Sequence, residues 1–280
     1  KIKSLKNNII PIFEPGLSEL VESNSKQNRL KFSTDIDNQL KQADIIFIAV
    51  GTPQSKDGSA NLEYIFAAAE SIANNAKDNA IIVTKSTVPV GTNRKIKDKI
   101  TQINPNLLFH SVSNPEFLRE GCAVKDFMEP DRVILGTESD EAFAKVASLY
   151  SNIKGVKTIQ TSLETAEMIK YTANSYLAMR IAFINEIADI CENTGANIEE
   201  VANGIGIDHR IGSHFLKTGP GFGGSCFPKD TEALKAIAAN AAAPSKIIDA
   251  VIESNNQRKH NMAEKITKIA GGSVEGKNIG

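Results

Sequence analysis

No apolar run in the 280 residues approaches the roughly 18 that a membrane span needs, and the stretch Ile45 to Val50 is typical of those present. No membrane association is expected. Charge of one sign is equally scarce: 32 Lys and Arg against 33 Asp and Glu leave a net charge of −1, which gives no general field for nucleic acid or an anionic surface. Cysteine is rare, odd in number and widely scattered at Cys122, Cys191 and Cys226, which is a poor disulfide framework. A reducing compartment, the cytoplasm, is the expectation. There is no low-complexity tract and no internal repeat. With 41% hydrophobic residues and 19 glycines, the composition excludes disorder, collagen and coiled coil. The length allows two domains, each with its own core. The chain opens at Lys1 with no charged-then-apolar leader, and Gly271 to Gly280 reads as a turn followed by the first residues of another element. A piece of a longer protein is expected.

What is present begins as alternating elements. Ile45–Val50, Ala80–Thr84, Leu107–Val112 and Arg132–Gly136 are short, β-branched and almost continuously apolar, as buried parallel strands are. Between the first two, Leu62, Ile65, Phe66, Ala69 and Ile72 share one helical face. This βαβ pattern predicts an α/β sheet. Further on, Glu164 to Glu192 holds neither Gly nor Pro and repeats apolar residues at three- and four-residue spacing, which predicts one long helix ending at Gly195. Shorter helices are predicted over Ile198–Asn203, Thr231–Ala242 and Ser245–Ile269, making the second half all-helical.

Polar loops follow the strands: Gly51-Thr52-Pro53, Lys85-Ser86-Thr87-Val88-Pro89, and Ser113-Asn114-Pro115-Glu116-Phe117-Leu118-Arg119-Glu120-Gly121. Any one of them is ordinary turn chemistry. Together, at successive strand C-termini, they form the rim of a ligand crevice. Only seven arginines stand beside 25 lysines, so Arg119, Arg132 and Arg210, in or beside such loops, invite a reason. Bidentate binding of carboxylate or phosphate is one, and for Arg132 a structural ion pair is equally open.

The segment Gly219-Pro220-Gly221-Phe222-Gly223-Gly224-Ser225-Cys226-Phe227-Pro228-Lys229-Asp230 contains G-x-G-x-x-G, but no strand precedes it and no acidic residue follows at the required distance. It is read instead as a glycine nest whose N–H groups approach a diphosphate. A near-match to a phosphate-binding P-loop at Gly271 to Asn278 fails, because Asn278 stands where Ser or Thr must bind magnesium. Cys226 precedes Pro228, a favoured opening residue of a helix, and lies beside Lys229, a setting that makes a thiol nucleophilic. Cys191, in the apolar stripe of the long helix, and Cys122 read as inert buried thiols. Lys170 and Asn174 share a helix face one turn apart; an oxyanion hold and a solvated surface pair are both open.

These motifs occur together in one family. Ile10 to Leu17 (Ile-Pro-Ile-Phe-Glu-Pro-Gly-Leu), Lys85 to Pro89, Asn114 to Gly121, Ile207 to Gly212 and Gly223 to Asp230 stand in the order found in UDP-glucose 6-dehydrogenases, and the chain resembles them over essentially its whole length. The resemblance implies an incomplete doubly wound Rossmann-type parallel sheet followed by an all-helical central dimerisation domain with one long connecting helix. Residues 1–161 would be the NAD-binding domain, 162–270 the central domain and 271–280 the start of a UDP-binding domain. It implies NAD-dependent oxidation of UDP-glucose to UDP-glucuronate, a homodimer, and no metal.

Carried over position by position, the resemblance makes Cys226 the nucleophile that captures an aldehyde. Lys170 and Asn174 would stabilise the oxyanion, with Lys170 also moving a proton. Asp230 would support the site's water and charge, and Glu116 with Thr87 would position or activate that water. Thr52, Pro53, Ser86, Thr87, Glu120, Cys226 and Lys229 fall where the family meets NAD. Glu116, Phe117, Leu118, Arg119, Glu120, Lys170, Asn174, Phe215, Lys217, Gly219, Gly221, Phe222 and Gly223 fall where it meets the nucleotide sugar. Arg210 matches an arginine that reaches substrate across the dimer interface.

The sequence departs from the family only at its ends. A first strand with a glycine fingerprint would precede Lys1, and a UDP-covering domain would follow Gly280. On that reading the strand expected at Lys31 to Thr34 loses its neighbour, Ile45–Val50 becomes an edge, and the chain alone would bind NAD weakly. Two other readings compete: a GDP-mannose 6-dehydrogenase using the same thiol and lysine, and a non-catalytic nucleotide-sugar binding or dimerisation module. The Phe after the Cys and the Glu-Phe-Leu-Arg-Glu loop favour UDP-glucose.

Overall fold

The computed structural model describes every residue except Lys56, Lys154 and Gly280. It divides into two compact units, residues 1–53 with 60–170, and residues 54–59 with 171–280. The first unit opens with α1 (Ile2–Lys6), α2 (Leu17–Lys26) and α3 (Ile36–Leu40). It continues through β1 (Ile45–Ile48), α4 (Glu63–Asn75), β2 (Ala80–Thr84), α5 (Thr92–Ile103), β3 (Phe109–Ser113), α6 (Ala123–Met128), β4 (Arg132–Gly136), α7 (Asp140–Ser148) and β5 (Lys157–Thr161). The long helix α8 (Leu163–Thr194) begins in this unit and runs on into the second, where α9 (Ile198–Gly206), α10 (Phe227–Asn240) and α11 (Lys246–Ile269) follow.

All five residues of β2 are buried, and its pleat divides them between two cores. Ala80 and Ile82 join Ile65, Ala69, Ile72 and Ala73 of α4 and Ile96 and Ile100 of α5. Ile81 and Val83 face the other way, toward Val112, Val133, Leu135 and the α7 residues Ala142 and Val146. A strand covered on both faces has no polar side to show, which is why its sequence is a continuous apolar run. The periodicity of α4 follows the same logic, with Ile65, Ala69, Ile72 and Ala73 recurring every three or four residues along its buried face.

The strand order is β1-β2-β3-β4-β5, with β1 at an edge. The pairs β1/β2, β2/β3 and β4/β5 are parallel, but β3 and β4 are antiparallel and meet only at Ser113 opposite Gly136. The all-parallel expectation is corrected at that pair. A parallel continuation needs a crossover helix packed on the sheet. The intervening α6 has six residues, none of them buried, and does not cross back. Asn114 Nδ2 donates to Ile134 O at 2.9 Å and Thr137 Oγ1 to Ser111 O at 2.8 Å, so side chains stitch what the ladder leaves open.

One expected strand and one expected element are absent. Lys31 to Thr34 is irregular, since β1 pairs with β2 alone and offers the segment no ladder. Residues 271–279 form turns without a strand, and Gly280, the last residue of that expected element, lies outside the described residues. A fifth strand, β5, had not been foreseen, because Lys157-Thr158-Ile159-Gln160-Thr161 is too polar and too exposed to read as one.

Helix α8 runs unbroken for 32 residues and stops, in the second unit, where Gly195 takes φ +78°, its N–H donating to Cys191 O at 2.9 Å. Asn197 Oδ1 caps α9 by accepting from the backbone of Glu199 and Glu200. Ala178 and Ala182 of α8 pack with Phe222 and with Val251 of α11, and the rings of Phe222 and Phe227 meet edge-on with centroids 6.2 Å apart.

Gly136, at the end of β4, has no room for a side chain: a Cβ there would lie 2.5 Å from Ser162 O and 2.6 Å from the Ala166 methyl. Gly136→Ala is therefore expected to destabilise the first unit by about 1–3 kcal/mol. Urea unfolding should show a lower midpoint at an unchanged slope; an unchanged midpoint would mean that the start of α8 yields freely.

Candidate active site

At the strand ends of the first unit, backbone and short polar side chains tie two loops together. Beyond β1, Thr52 is buried and its Oγ1 donates to Thr87 O at 2.9 Å. Beyond β2, the Ser86 hydroxyl donates to Val50 O at 2.7 Å while the amides of Lys85 and Ser86 both donate to Ile48 O. Thr52, Pro53, Ser86 and Thr87 thus form one rim, and a Cβ placed on Gly51 would meet nothing within 4 Å.

Beside this rim lies a cluster of buried charge. Lys170, only 2% exposed, donates from Nζ to Glu116 Oε1 at 3.0 Å. Glu116 turns its other oxygen back to the Leu118 amide at 2.5 Å, which curls the loop around the carboxylate. Of the two readings left open for Lys170, the solvated one is excluded by its burial. The ring of Phe117 is shared by two cations, with the Arg132 guanidinium 3.9 Å and Lys170 Nζ 5.5 Å from its centroid. Arg132 is thus placed by a ring as well as by the exposed Asp131, 3.9 Å away.

Sequence reasoning assigned no role to Lys85, which completes the cluster. Its Nζ donates to Asn114 Oδ1 at 3.1 Å, and Tyr150 OH donates to the same oxygen at 2.6 Å. Burial pulls the Lys85 ammonium down to about 8; the charge of Lys170 adds to this and that of Glu116 opposes it. Glu167, one turn before Lys170, was also missed. It accepts from the amides of Gly91 and Asn93 at 2.6 and 2.7 Å and from Asn93 Nδ2 at 2.7 Å, fixing the first turns of α8 to the start of α5. Burial pushes its carboxyl up against the pull of those donors. Glu14, from the Glu-Pro-Gly-Leu motif, accepts from the amides of Gly121 and Ala123 at 2.8 and 3.1 Å and holds the end of the Arg119-Glu120-Gly121 loop.

Arg119 has a packing partner that the sequence did not reveal. It grips Asp126 through its amide at 2.9 Å, Nε at 2.9 Å and Nη2 at 2.6 Å, and holds that carboxyl below the usual range. Phe117 and Leu118 are half-buried, whereas Glu120 is exposed. Cys122, expected to be buried, is exposed at the start of α6, whose short length leaves it no core to enter.

In the second unit Asp230 is 1% exposed and doubly held, by Asn174 Nδ2 at 2.6 Å and Lys229 Nζ at 2.6 Å. Cys226 is half-buried at the residue preceding α10, its carbonyl accepting from the Asp230 amide at 2.8 Å and its Sγ 3.6 Å from Ser225 Oγ. Pro228 is the second residue of α10, not the first. Cys191 is buried in α8, as expected. Phe215 takes φ +62°, a conformation unusual for an aromatic residue, with its ring 6.3 Å from Phe227. Lys217 and Gly223 are exposed. The nest reading of the glycine loop is corrected at two amides: Gly219 N–H is taken by Asn185 Oδ1 at 2.8 Å and Phe222 N–H by Asn255 Oδ1 at 2.7 Å. Arg210 is exposed and paired with Asp208, Nη2 to Oδ2 at 2.6 Å. Lys170 and Asn174 stand four residues apart on the continuous α8.

The first unit fits a dinucleotide over the ends of β1 and β2. The rim there is short, polar and open at Gly51, and Thr84 Oγ1, buried at the end of β2, has no hydrogen-bond partner among the described residues. No G-x-G-x-x-G turn leads from a strand into a helix in this unit among the described residues. Among those residues, no helix is long and apolar enough to cross a membrane.

Fold and rim define a Rossmann-like NAD-binding domain followed by a helical domain. Residues 1–154 match the NAD binding domain, and residues 164–257 the central domain, of the UDP-glucose/GDP-mannose dehydrogenase family, and the chain belongs to that family. It is 49% identical over its whole length to UDP-glucose 6-dehydrogenase TuaD of Bacillus subtilis (strain 168), covering 60% of that protein. It is 47% identical over its whole length to the UDP-glucose 6-dehydrogenase of Rhizobium meliloti (strain 1021), covering 65%. The solved UDP-glucose dehydrogenase of Pyrobaculum islandicum superposes with a TM-score of 0.93 at 33% identity, over 96% of this chain and 63% of that one. The chain thus spans 60 to 65% of the length of these relatives.

The position of Lys85 gives a pH signature. Folded, its ammonium loses its proton near 8, against 10.5 for the ordinary side chain, so between these values the unfolded chain binds more protons. Stability from this group therefore rises with pH from about 8 to about 10.5. Urea unfolding of wild type and Lys85→Met across that range should give a stability difference that shifts toward wild type as pH rises. A difference independent of pH would show that Lys85 is not desolvated.

Proposed function

We propose that the full-length protein oxidises UDP-glucose twice at C6 to UDP-glucuronate, with Cys226 as the nucleophile. The observation that carries this reading is the buried carboxylate Asp230, clamped by Asn174 and Lys229 four residues after a thiol at a helix start. A plain alcohol dehydrogenase has no use for a thiol there. Oxidation from alcohol to acid passes through an aldehyde, which a covalent bond to the enzyme keeps from escaping. Identity of 49% to a UDP-glucose 6-dehydrogenase supports this substrate over GDP-mannose.

NAD, when bound, supplies the acceptor for one hydride in each oxidation, and Thr52, Pro53, Ser86, Thr87, Glu120 and Lys229 are the residues proposed to hold it. In the first oxidation Lys170 accepts the proton of the C6 hydroxyl, relaying it by way of Glu116, its partner at 3.0 Å. Cys226 Sγ then adds to the aldehyde carbon, the thiol proton passes to the carbonyl oxygen, and a thiohemiacetal forms. Lys170 and Asn174 donate hydrogen bonds to the oxygen as negative charge develops on it. After Glu116 has passed the first proton to solvent, the second oxidation removes the remaining C6 hydride of the thiohemiacetal, its hydroxyl proton leaves by the same Lys170–Glu116 route, and a thioester remains. Glu116, with Thr87, orients the water that attacks it and takes one of its protons; the C–S bond breaks, the departing thiolate takes up the other proton to restore the Cys226 thiol, and UDP-glucuronate is released as the carboxylate. Asp230 takes no bond to substrate; held by Asn174 and Lys229, it keeps the Asn174 amide oriented.

The substrate would lie against Glu116–Glu120 and the glycine loop, with Phe215, Lys217, Gly219, Gly221, Phe222 and Gly223 along the nucleotide sugar. Residues 1–161 are proposed as the NAD domain, 162–270 as the central domain and 271–280 as the approach to a UDP-binding domain. A homodimer is proposed through α8, where Tyr176, Phe183 and Ile190, seven residues apart, are each more than half exposed. Arg210 would reach the substrate of the partner copy. Free thiols suit the cytoplasm.

NADH release with UDP-glucose, but not with GDP-mannose, is the expected result; the reverse preference would move the reading to the other nucleotide sugar. Cys226→Ser should abolish net turnover, since a hydroxyl is a much weaker nucleophile and leaving group than a thiolate. Steady turnover near the wild-type rate in that variant would sink the thioester route. Lys170→Ala should lower kcat by about 10² to 10⁴ with a smaller change in KM and an unchanged far-UV circular dichroism spectrum. An unaltered kcat would return Lys170 to a structural ion pair with Glu116.

A further inference from the structure

The glycine loop has a holder that none of the sequence motifs contains. Asn185 of α8 accepts the Gly219 amide at 2.8 Å, and Arg258 of α11 donates from Nε to Gly219 O at 3.0 Å. Arg258 Nη1 reaches Asn185 O at 3.5 Å and is paired with Asp189, so the two helices are bridged at the residue they hold. Three residues on, Asn255 of α11 accepts the Phe222 amide at 2.7 Å and donates to Phe222 O at 3.1 Å. It thereby exchanges both hydrogen bonds with one residue, as opposed residues of an antiparallel pair do. Between the two grips Gly221 takes φ +113°, and a Cβ on it would lie 2.8 Å from Asn255 Oδ1. The glycine is required by the grip itself.

Such a holder is not needed merely to satisfy the loop's backbone. Pro220 and Gly223 are exposed, so water is within reach of this segment, while Asn185, Asn255 and Arg258 are all buried and desolvated to make these contacts. Burying three polar side chains on a backbone segment fixes its position at a cost in solvation, a pattern of sites that must be preorganised. The held residues run directly into Gly223, Gly224 and Cys226.

We propose that Asn255 and Arg258 of α11, with Asn185 of α8, are positioning residues that fix the Gly219–Phe222 backbone for the nucleotide sugar and so set the approach to Cys226. The proposal rests on the nucleotide-sugar reading of the loop given above. The same side chains line a cavity of 370 Å³, so shortening one of them widens existing space.

The test compares wild type with Asn255→Ala and Arg258→Lys in the full-length protein, using two independent readouts: hydrogen exchange over residues 217–225 and calorimetric titration with UDP-glucose. Both variants should exchange faster over that segment and bind UDP-glucose about tenfold more weakly, the loss of roughly one net hydrogen bond. Exchange in α4 and β2 should stay as in wild type. Arg258→Lys keeps a cation for Asp189 but loses the fork that spans Gly219 O and Asn185 O, so it decides the matter should Asn255→Ala not fold. Unchanged exchange over 217–225 would overturn the proposal, as would faster exchange with unchanged affinity. If wild type itself binds no UDP-glucose, the nucleotide-sugar reading fails and the positioning role with it, even where the exchange data show that the grip on the loop is real.

Discussion

Moving an ammonium or a carboxylate out of water costs several kcal/mol per ion even after relaxation, and protein structure recovers that only by supplying partners in good geometry. The buried charges of this chain obey the rule strictly. Lys170 is held by Glu116, Asp230 by Asn174 and Lys229, Glu167 by three donors at the start of α5, and Arg258 by Asp189 and two carbonyls. Each partner must in turn be rigid, and each sits on a helix or on a loop knotted by further hydrogen bonds. The charge thus dictates the order of the surrounding backbone.

The doubly covered strand β2 is the platform for this arrangement. With apolar layers on both faces its position admits no slippage, and the loop that leaves it carries Lys85, Ser86 and Thr87 to a fixed rim. Neighbouring β3 delivers Asn114 and Glu116 in the same way. Lys85, Asn114 and Tyr150 then share a single side-chain oxygen, so two strand ends and the end of α7 are referred to one atom. Burial draws the proton from the Lys85 ammonium, and among the described residues no carboxylate is in direct contact with it to hold that proton in place.

Elements whose identity lies in local periodicity were readable from the chain. β2 and β4 fall on the predicted residues, α8 ends at the predicted glycine, and Cys226 stands at a helix start because Pro and a run of helix formers follow it. Local pattern carries no strand direction, so the antiparallel meeting of β3 and β4 was invisible. Nor does it carry partners far away in sequence. Glu14 reaches 107 residues to Gly121, Glu167 reaches 74 to Asn93 and Asn255 reaches 33 to Phe222. An isolated acid or amide on a helix or turn looks the same whether it faces water or clamps a loop. Arg119 sits in a suggestive motif, and its pairing with Asp126 seven residues away was equally absent from the local pattern.

The single ladder pair that joins β3 to β4 divides the sheet into two mechanically distinct parts. On one side three parallel strands are laced over four or five residues each, and on the other β4 and β5 are laced over five. Between the two strands themselves stand one backbone register position, two side-chain hydrogen bonds and a shared apolar layer, joined beyond the sheet by the Tyr150 hydroxyl on Asn114 Oδ1 and the ion pair of Arg94 with Glu138. Apolar contact resists sliding weakly and separation uniformly, whereas a ladder must break bond by bond. The sheet thus has a seam: when the first unit opens locally, β4, α7 and β5 can leave as one cooperative piece while β1, β2 and β3 remain paired.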